Sequence, residues 1–216
     1  MADQAVGIPI VKEVLPFVLG AAGATALGGA LGFEGVLVGF GCLTLFIVWF
    51  FRNPHREIPK LVNGLVSPGD GKVIAIEREF EPRYLKAESI RVSIFLNVFD
   101  VHVNRVPCDG VVEGIAYQPG KFVAANRPEA TLRNEQNALM IQTPSGAKVL
   151  CVQVAGLIAR RIVCWLSIGA SVGCGERYGL IRFGSRMDVF VPIGTKLHVS
   201  VGQTVKGGSS LLGELP

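Results

Sequence analysis

The segment Glu176-Arg177-Tyr178-Gly179-Leu180-Ile181-Arg182-Phe183-Gly184-Ser185-Arg186-Met187-Asp188-Val189-Phe190-Val191-Pro192 contains a peptide bond with the makings of a self-cleaving one. A serine that follows glycine between two strand-like segments can attack the carbonyl preceding it, because glycine has no Cβ to block the approach and tolerates unusual backbone geometry. Attack by Ser185 on Gly184 converts the amide to an ester. Elimination then releases the upstream chain and leaves dehydroalanine, which hydrolyses with loss of ammonia to a pyruvoyl group heading the downstream chain. A Gly-Ser pair alone does not demand this chemistry, since in a chain with 27 glycines most such pairs are ordinary turns.

Chemistry at such a ketone would also call for a proton donor near neutral pH, usually histidine. The chain has three. His55 directly follows an apolar run and reads as a membrane-interface residue, and the polar parity of His198 in Lys196-Leu197-His198-Val199 reads as a solvent-facing strand position. His102, in Phe99-Asp100-Val101-His102-Val103-Asn104-Arg105, follows a strong strand and is open to a catalytic or a structural role. Asp70, in Ser67-Pro68-Gly69-Asp70-Gly71, is on its own plain turn chemistry. Cys42, Cys108, Cys151, Cys164 and Cys174 are odd in number and form no Cys-x-x-Cys pair, which argues against a disulfide framework or a metal site. They fit small core residues in a reducing compartment.

The elements that must position these groups begin with a membrane-like front. Half the residues are hydrophobic, 18% are charged and the mean hydropathy is +0.45, high for a freely soluble domain. Residues 10–31 and 35–51 are apolar with few interruptions, each run close to the roughly 20 residues that span a bilayer. With a short turn at Gly32-Phe33-Glu34-Gly35 they predict a transmembrane or membrane-inserted helical hairpin. Lys12 before it and Arg52, His55, Arg56 and Lys60 after it place both ends, and the catalytic domain, on the cytoplasmic side of a cell membrane. The alternatives are a signal peptide, for which the first run lacks a strongly basic lead, and a helix pair buried in a soluble core. The net charge of +4 and pI near 8.9 are too modest and dispersed for nucleic acid; basic groups beside a membrane segment suit anionic lipid.

Residues 1–60 therefore read as the anchor with its juxtamembrane segment, and 61–216 as one domain of ordinary size. Segments 73–76, 91–96, 111–117, 139–142, 149–154, 161–166, 188–191 and 196–201 are rich in Val, Ile and Phe and are separated by Pro-Gly, Asp-Gly and Ser-Gly turns. No long 3.6-period stretch competes, so a mainly β, compact barrel or sandwich-like fold is expected. Residues 122–137, with Asn126, Arg127, Pro128, Glu129, Arg133, Asn134 and Glu135, read as a long loop or a broken helix.

The run ending in Arg-Phe-Gly-Ser-Arg resembles the pyruvoyl-forming motif of the phosphatidylserine decarboxylases in its short form. Phe50-Phe51-Arg52-Asn53-Pro54, Ser67-Pro68-Gly69-Asp70-Gly71, Asp100-Val101-His102-Val103-Asn104-Arg105-Val106-Pro107 and Arg133-Asn134-Glu135 extend the resemblance in the family's order from about residue 50 onward. It implies cleavage between Gly184 and Ser185, a covalent pyruvoyl cofactor from Ser185 with no metal, and a large and a small chain that stay together. It also implies decarboxylation of phosphatidylserine to phosphatidylethanolamine in phospholipid biosynthesis, with His102 catalytic and Asp70 helping to activate the serine. Asn134 and Glu135 are implied at the substrate cavity, and a homo-oligomer is compatible with the sequence.

The chain departs from the longer relatives at position 105, where they carry a second histidine that joins the aspartate and serine in processing. An arginine is charged at all relevant pH values and cannot be the base. Either His102 serves both steps, or Asp70 acts on Ser185 directly, or a water fills the gap. Arg105 and Arg186, which replaces a threonine of the longer forms, are then candidates to hold a substrate carboxylate or phosphate. Two other readings are open: a decarboxylase for a related serine-headgroup lipid with ether-linked tails, such as archaetidylserine, and a membrane-tethered lipoyl- or biotinyl-like module built on the stretch 201–208. The latter would need a displayed, modified lysine, and neither Lys72 nor Lys206 stands in a convincing hairpin.

Overall fold

A computed structural model describes residues 14–120, 134–156, 162–181 and 185–216. They divide into two compact units, one ending at His55 and one running from Arg56 to Pro216. The first is a helical hairpin of α1 (Leu15–Ala30), opened by a proline in its first turn, and α2 (Glu34–Phe50). The Phe33 N–H closes the turn between them by donating to the Gly28 carbonyl at 2.8 Å. At 1.5 Å per residue the helices are about 24 and 26 Å long, against about 30 Å for the hydrocarbon core of a bilayer. No described helix is long and apolar enough to cross a membrane, which corrects the transmembrane form of the expectation. The apolar runs are broken by the turn after Ala30 and end at Phe50, and Lys12 lies outside the described residues.

The second unit is mainly β, as expected. Its strands are β1 (Gly64–Val66), β2 (Gly71–Glu81), β3 (Ala87–Leu96), β4 (Val103–Arg105), β5 (Gly110–Gln118), β6 (Gln136–Gln142), β7 (Lys148–Val154), β8 (Ile162–Cys164), β9 (Ser171–Val172), β10 (Arg177–Ile181), β11 (Ser185–Pro192), β12 (Lys196–Leu197), β13 (Thr204–Val205) and β14 (Leu211–Glu214). Eight of them form one antiparallel sheet in the order β13-β2-β3-β11-β7-β6-β5-β9. Two three-stranded sheets, β1-β14-β12 and β4-β10-β8, accompany it. The large sheet is open at β13 and β9 and curls into a half-barrel, which bears out the barrel-like expectation short of closure. The strand expected over 196–201 shrinks to two residues because the chain turns at Val201, which is exposed. The loop expected over 122–137 lies outside the described residues up to Arg133, and its last residues enter β6.

One row of paired residues crosses seven strands of the large sheet: Gln118, Gln136, Val154, Arg186, Phe95, Lys72 and Thr204. The neighbouring row contains Ser185 opposite Leu96, Ala155 bonded to Glu135, and Gly71 opposite Val205. Side chains of successive strand residues leave on opposite faces, so the two rows face opposite ways. On β11, Met187, Val189 and Val191 join the main core, which also takes Leu65 and Leu212 from β1 and β14 and Tyr178 and Ile181 from β10. Phe190 joins a second cluster with Leu150, Val152 and Val154. Both small sheets thus share one core with the face of the large sheet that carries Ser185.

The row is tight at Gly71, whose φ is +155° and where an added Cβ would be driven into the Phe95 carbonyl oxygen. Gly71→Ala should therefore destabilise the β2–β3 pairing by roughly 1–3 kcal/mol, read as a lowered denaturation midpoint in urea; an unchanged midpoint would show that the strand end relaxes freely.

Candidate active site

Ser185 is the first residue of β11 and is fully buried. Its Oγ has no hydrogen-bond partner among the described residues. Leaving a buried hydroxyl unpaired costs roughly 1–3 kcal/mol, and such an atom in a folded protein calls for a reason. Three residues upstream of it, outside the described set, connect β11 in the large sheet to β10 in a small one. Gly184 is among those three. The candidate scissile bond therefore sits where the chain passes from one sheet to another.

His102 is held on the β10 side of this crossing. Its carbonyl accepts the Ile181 N–H at 3.3 Å, continuing the register in which Val103 faces Leu180 and Asn104 faces Gly179. The ring is buried, and Nδ1 lies 2.8 Å from the Asp100 carbonyl oxygen. A carbonyl only accepts, so Nδ1 carries the proton and Nε2 is the basic nitrogen of the neutral ring. Two residues on, Asn104 Oδ1 accepts from Gln153 Nε2 at 2.8 Å, and Gln153 Oε1 accepts from Asn137 Nδ2 at 2.9 Å. Gln153 faces Met187 across the β7–β11 pair, which puts it on the same face as Ser185 and diagonal to it, about 7–8 Å away by sheet geometry. A run of neutral amides therefore joins the strand of His102 to the face of Ser185.

Asp70 lies on the other flank. A Cβ on Gly69 would stand 3.3 Å from Leu96 and 3.5 Å from Met187, so this turn packs against the Ser185 end of β11. The Asp70 carboxylate accepts from Arg56 Nη2 at 2.7 Å and from the Gly207 N–H at 2.8 Å. It is not bonded to Ser185. Gly208 N–H donates to the Ser67 carbonyl and Arg105 N–H to the Pro68 carbonyl, each at 2.8 Å, so the 206–208 turn and β4 clamp the Asp70 turn from two sides. The stretch 201–208 thus supports Asp70, and Lys72 sits within a paired strand opposite Thr204, which leaves a carrier-type lysine hairpin without a basis. Arg105 donates through Nη1 to the Gly175 carbonyl at 2.9 Å. Burial first, then the charges of Arg56 and Arg177, lower its pKa to about 10, with Asp70 opposing. It is still a cation at neutral pH, in surroundings that favour a bound anion.

The remaining candidates are placed as follows. Asn134 Nδ2 donates to the Ala155 carbonyl at 2.7 Å and the Glu135 carbonyl accepts the Ala155 N–H at 3.0 Å, which sets both residues beside the end of β7, with Glu135 in the row of Ser185, two strands and about 10 Å away. Arg186 turns to the opposite face, where Nη2 and Nε donate to Asp188 Oδ2 at 2.8 and 3.1 Å, both residues being buried. Ser93 Oγ donates to the other Asp188 oxygen at 2.6 Å. That face also holds a cavity of about 330 Å³ lined by Arg91, Gln136, Asp188 and Phe190 among others. Arg133 lies outside the described residues. Among the described residues no cluster of His, Cys, Asp or Glu is arranged to hold a metal. Cys151 is no rival nucleophile: burial pushes its thiol up to about 12. Arg56, Asn104, Gln153 and Gly207 were not singled out by the sequence. Only Gln153 carried a local signal, as a lone polar residue at the core parity of an apolar strand.

Comparison with known proteins bears on this arrangement as a whole. A model of the phosphatidylserine decarboxylase family matches residues 43–213. A phosphatidylserine decarboxylase proenzyme from Syntrophus aciditrophicus is 48% identical over 206 residues, covering 94% of this chain and 96% of that one. One from Aromatoleum aromaticum is 47% identical over 208 residues, 96% of each. One from Burkholderia pseudomallei is 44% identical over 207 residues, covering 96% and 95%. With a buried serine, unpartnered among the described residues, at the junction of two sheets and relatives matching over nearly their whole length, the chain belongs to the phosphatidylserine decarboxylase family.

Proposed function

We propose that the chain is made as a precursor, cuts itself between Gly184 and Ser185, and decarboxylates phosphatidylserine to phosphatidylethanolamine in phospholipid biosynthesis, using a pyruvoyl group formed from Ser185. The observation that carries this is the buried Ser185 Oγ without a partner among the described residues, at the head of a strand and at a crossing between sheets. A buried hydroxyl that is not committed to another described group is available to react with its own backbone. The word proenzyme in the relatives' names supports a processed precursor.

Once formed, the pyruvoyl ketone supplies an electrophile for the substrate amine and a sink for the electrons left by departing carbon dioxide. The chain's own residues do the rest. His102 is the base for processing and the proton donor to the decarboxylated carbon, through Nε2, because its Nδ1 proton is committed to Asp100. Asp70, clasped by Arg56 and Gly207, fixes the turn that packs beside Ser185. Arg105 offers its charge to the substrate phosphate, and Asn134 and Glu135 line the same end of the sheet. The two products of cleavage stay associated: β11 lies between β3 and β7, β13 pairs with β2, and β14 with β1.

The hairpin serves as a membrane-inserted anchor that enters the lipid without crossing it, on the cytoplasmic side of the cell membrane. Phe17, Leu19 and Leu45 are 57%, 69% and 71% exposed, a surface suited to acyl chains. Arg52 stacks over Trp49 at 4.4 Å from the ring centroid, a pair suited to the headgroup layer at the end of α2.

Intact mass spectrometry under denaturing conditions, with a carbonyl-reactive hydrazide in half the sample, should show two chains, the smaller starting at position 185 and shifted by the reagent. Ser185→Ala should give one chain without activity; an active preparation of uncleaved, unreactive chain would overturn the proposal. His102→Ala should lower kcat by about 10²–10⁴, measured as carbon dioxide released from phosphatidylserine vesicles by whatever fraction is processed. For the anchor, the full-length protein should float with phosphatidylserine-containing liposomes. The pair Leu19→Glu and Leu45→Glu should weaken this at least tenfold, since a charge among acyl chains costs about 2.5 kcal/mol or more; undiminished flotation would show that the hairpin does not insert.

A further inference from the structure

A second buried polar atom near Ser185 also has no partner among the described residues: Asn104 Nδ2, on a side chain that is completely buried. The direction of the amide chain explains why it is Nδ2 that is spare. Gln153 Nε2 is directed at the Val163 carbonyl, 3.5 Å away, as well as at Asn104. A carbonyl accepts only, so Gln153 must present its NH₂ on that side, and Asn104 must answer with Oδ1. Asn137, donating to Gln153 Oε1 from the far end, enforces the same polarity. Gly179 makes room, since a Cβ there would strike the Val163 carbonyl oxygen and lie 3.1 Å from Gln153 Nε2. The result is a fixed run of amides, Asn137 to Gln153 to Asn104, ending in a donor with no acceptor among the described residues. That end lies on the strand of His102, two residues along and hence on the same side of the strand, while Gln153 lies diagonal to Ser185.

Building on the self-cleavage reading, we propose that Asn104 is a further residue of the processing site. Its Nδ2–H donates to the oxygen that takes up negative charge as Ser185 Oγ adds to the carbonyl bonded to its own nitrogen. In that step the Oγ–C bond forms, the hydroxyl proton passes by way of a base to the nitrogen, and the C–N bond breaks, leaving an ester; nothing else is consumed. A neutral amide suits the task. In a dry, low-dielectric interior a preoriented N–H stabilises a transient charge strongly, and in the resting precursor it leaves no unpaired ion buried.

Self-cleavage of the freshly expressed full-length protein, followed by intact mass against time, tests this without any substrate. Asn104→Leu should slow cleavage by about 10²–10³ while the circular dichroism spectrum stays that of the parent. Asn104→Asp keeps the acceptor for Gln153 and loses the donor. The ratio of its cleavage rate to that of the parent should rise as the pH falls, because a protonated carboxyl regains an O–H to donate; a packing role predicts no such trend. A folded Asn104→Leu protein that cleaves at the parent rate overturns the assignment. If that variant does not fold, an Asn104→Asp protein matching the parent at every pH overturns it instead. Failure of the parent itself to cleave would sink the self-cleavage reading, whereas a cleaving parent with indifferent variants sinks only the role of Asn104.

Discussion

The register of β11 between β3 and β7 is the constraint on which the rest of the site depends. A slip of one residue would carry Arg186 and Asp188 into the apolar core and expel Met187, Val189 and Val191 from it. Burying each of those three apolar side chains contributes about 1.5–3 kcal/mol. Breaking up a buried Arg–Asp pair costs about 3–5 kcal/mol. Against these terms the roughly 1–3 kcal/mol lost by an unpaired Ser185 hydroxyl is affordable. The strand holds its first residue in an unfavourable setting because its other residues leave it no alternative.

The same alternation sorts charge from neutral polarity. On one face of β11, Arg186, Asp188, Ser93 and Arg91 form an ionic network, with Arg91 also paired to Glu77 and Glu79. On the other, among the described residues, the face of Ser185 carries the amide of Gln153, bonded to Asn104, and two strands away in the same row Glu135. The cations Arg56 and Arg105 lie at the margin, beside the Asp70 turn. Electrostatic effects are strongest where no mobile ion or water screens them, so a reacting centre built from neutral donors keeps its field for charges that appear during reaction.

Much of this was legible in the sequence and some was not, for physical reasons. Strong strands such as β3, β7 and β11 announced themselves because they bury both faces in the centre of a sheet and so read as runs of Val, Ile and Phe. The short strands β1, β4, β10, β13 and β14 did not, since two to five residues carry too little periodicity. They are nonetheless the ones that hold His102, Asn104 and the 206–208 turn. The bonding of Asp70 to Arg56 and Gly207 spans 14 and 137 residues, and no local pattern encodes such a meeting. The hairpin shows the opposite failure: hydropathy fixed two apolar runs, but helix length depends on where the turn falls, and the turn leaves helices of 16 and 17 residues.

Placing the reactive bond between two sheets also settles what cleavage can and cannot undo. Each side of the junction is anchored independently: β10 by β4 and β8, β11 by β3 and β7. Opening the backbone between them removes a covalent link but no strand pairing among the described residues. The rest of β11 keeps its partners on β3 and β7 without help from the chain upstream of it. On the proposed reading, loss of the residue 185 nitrogen as ammonia would cost at most the pairing of that one residue, and the register of the strand behind it would stand.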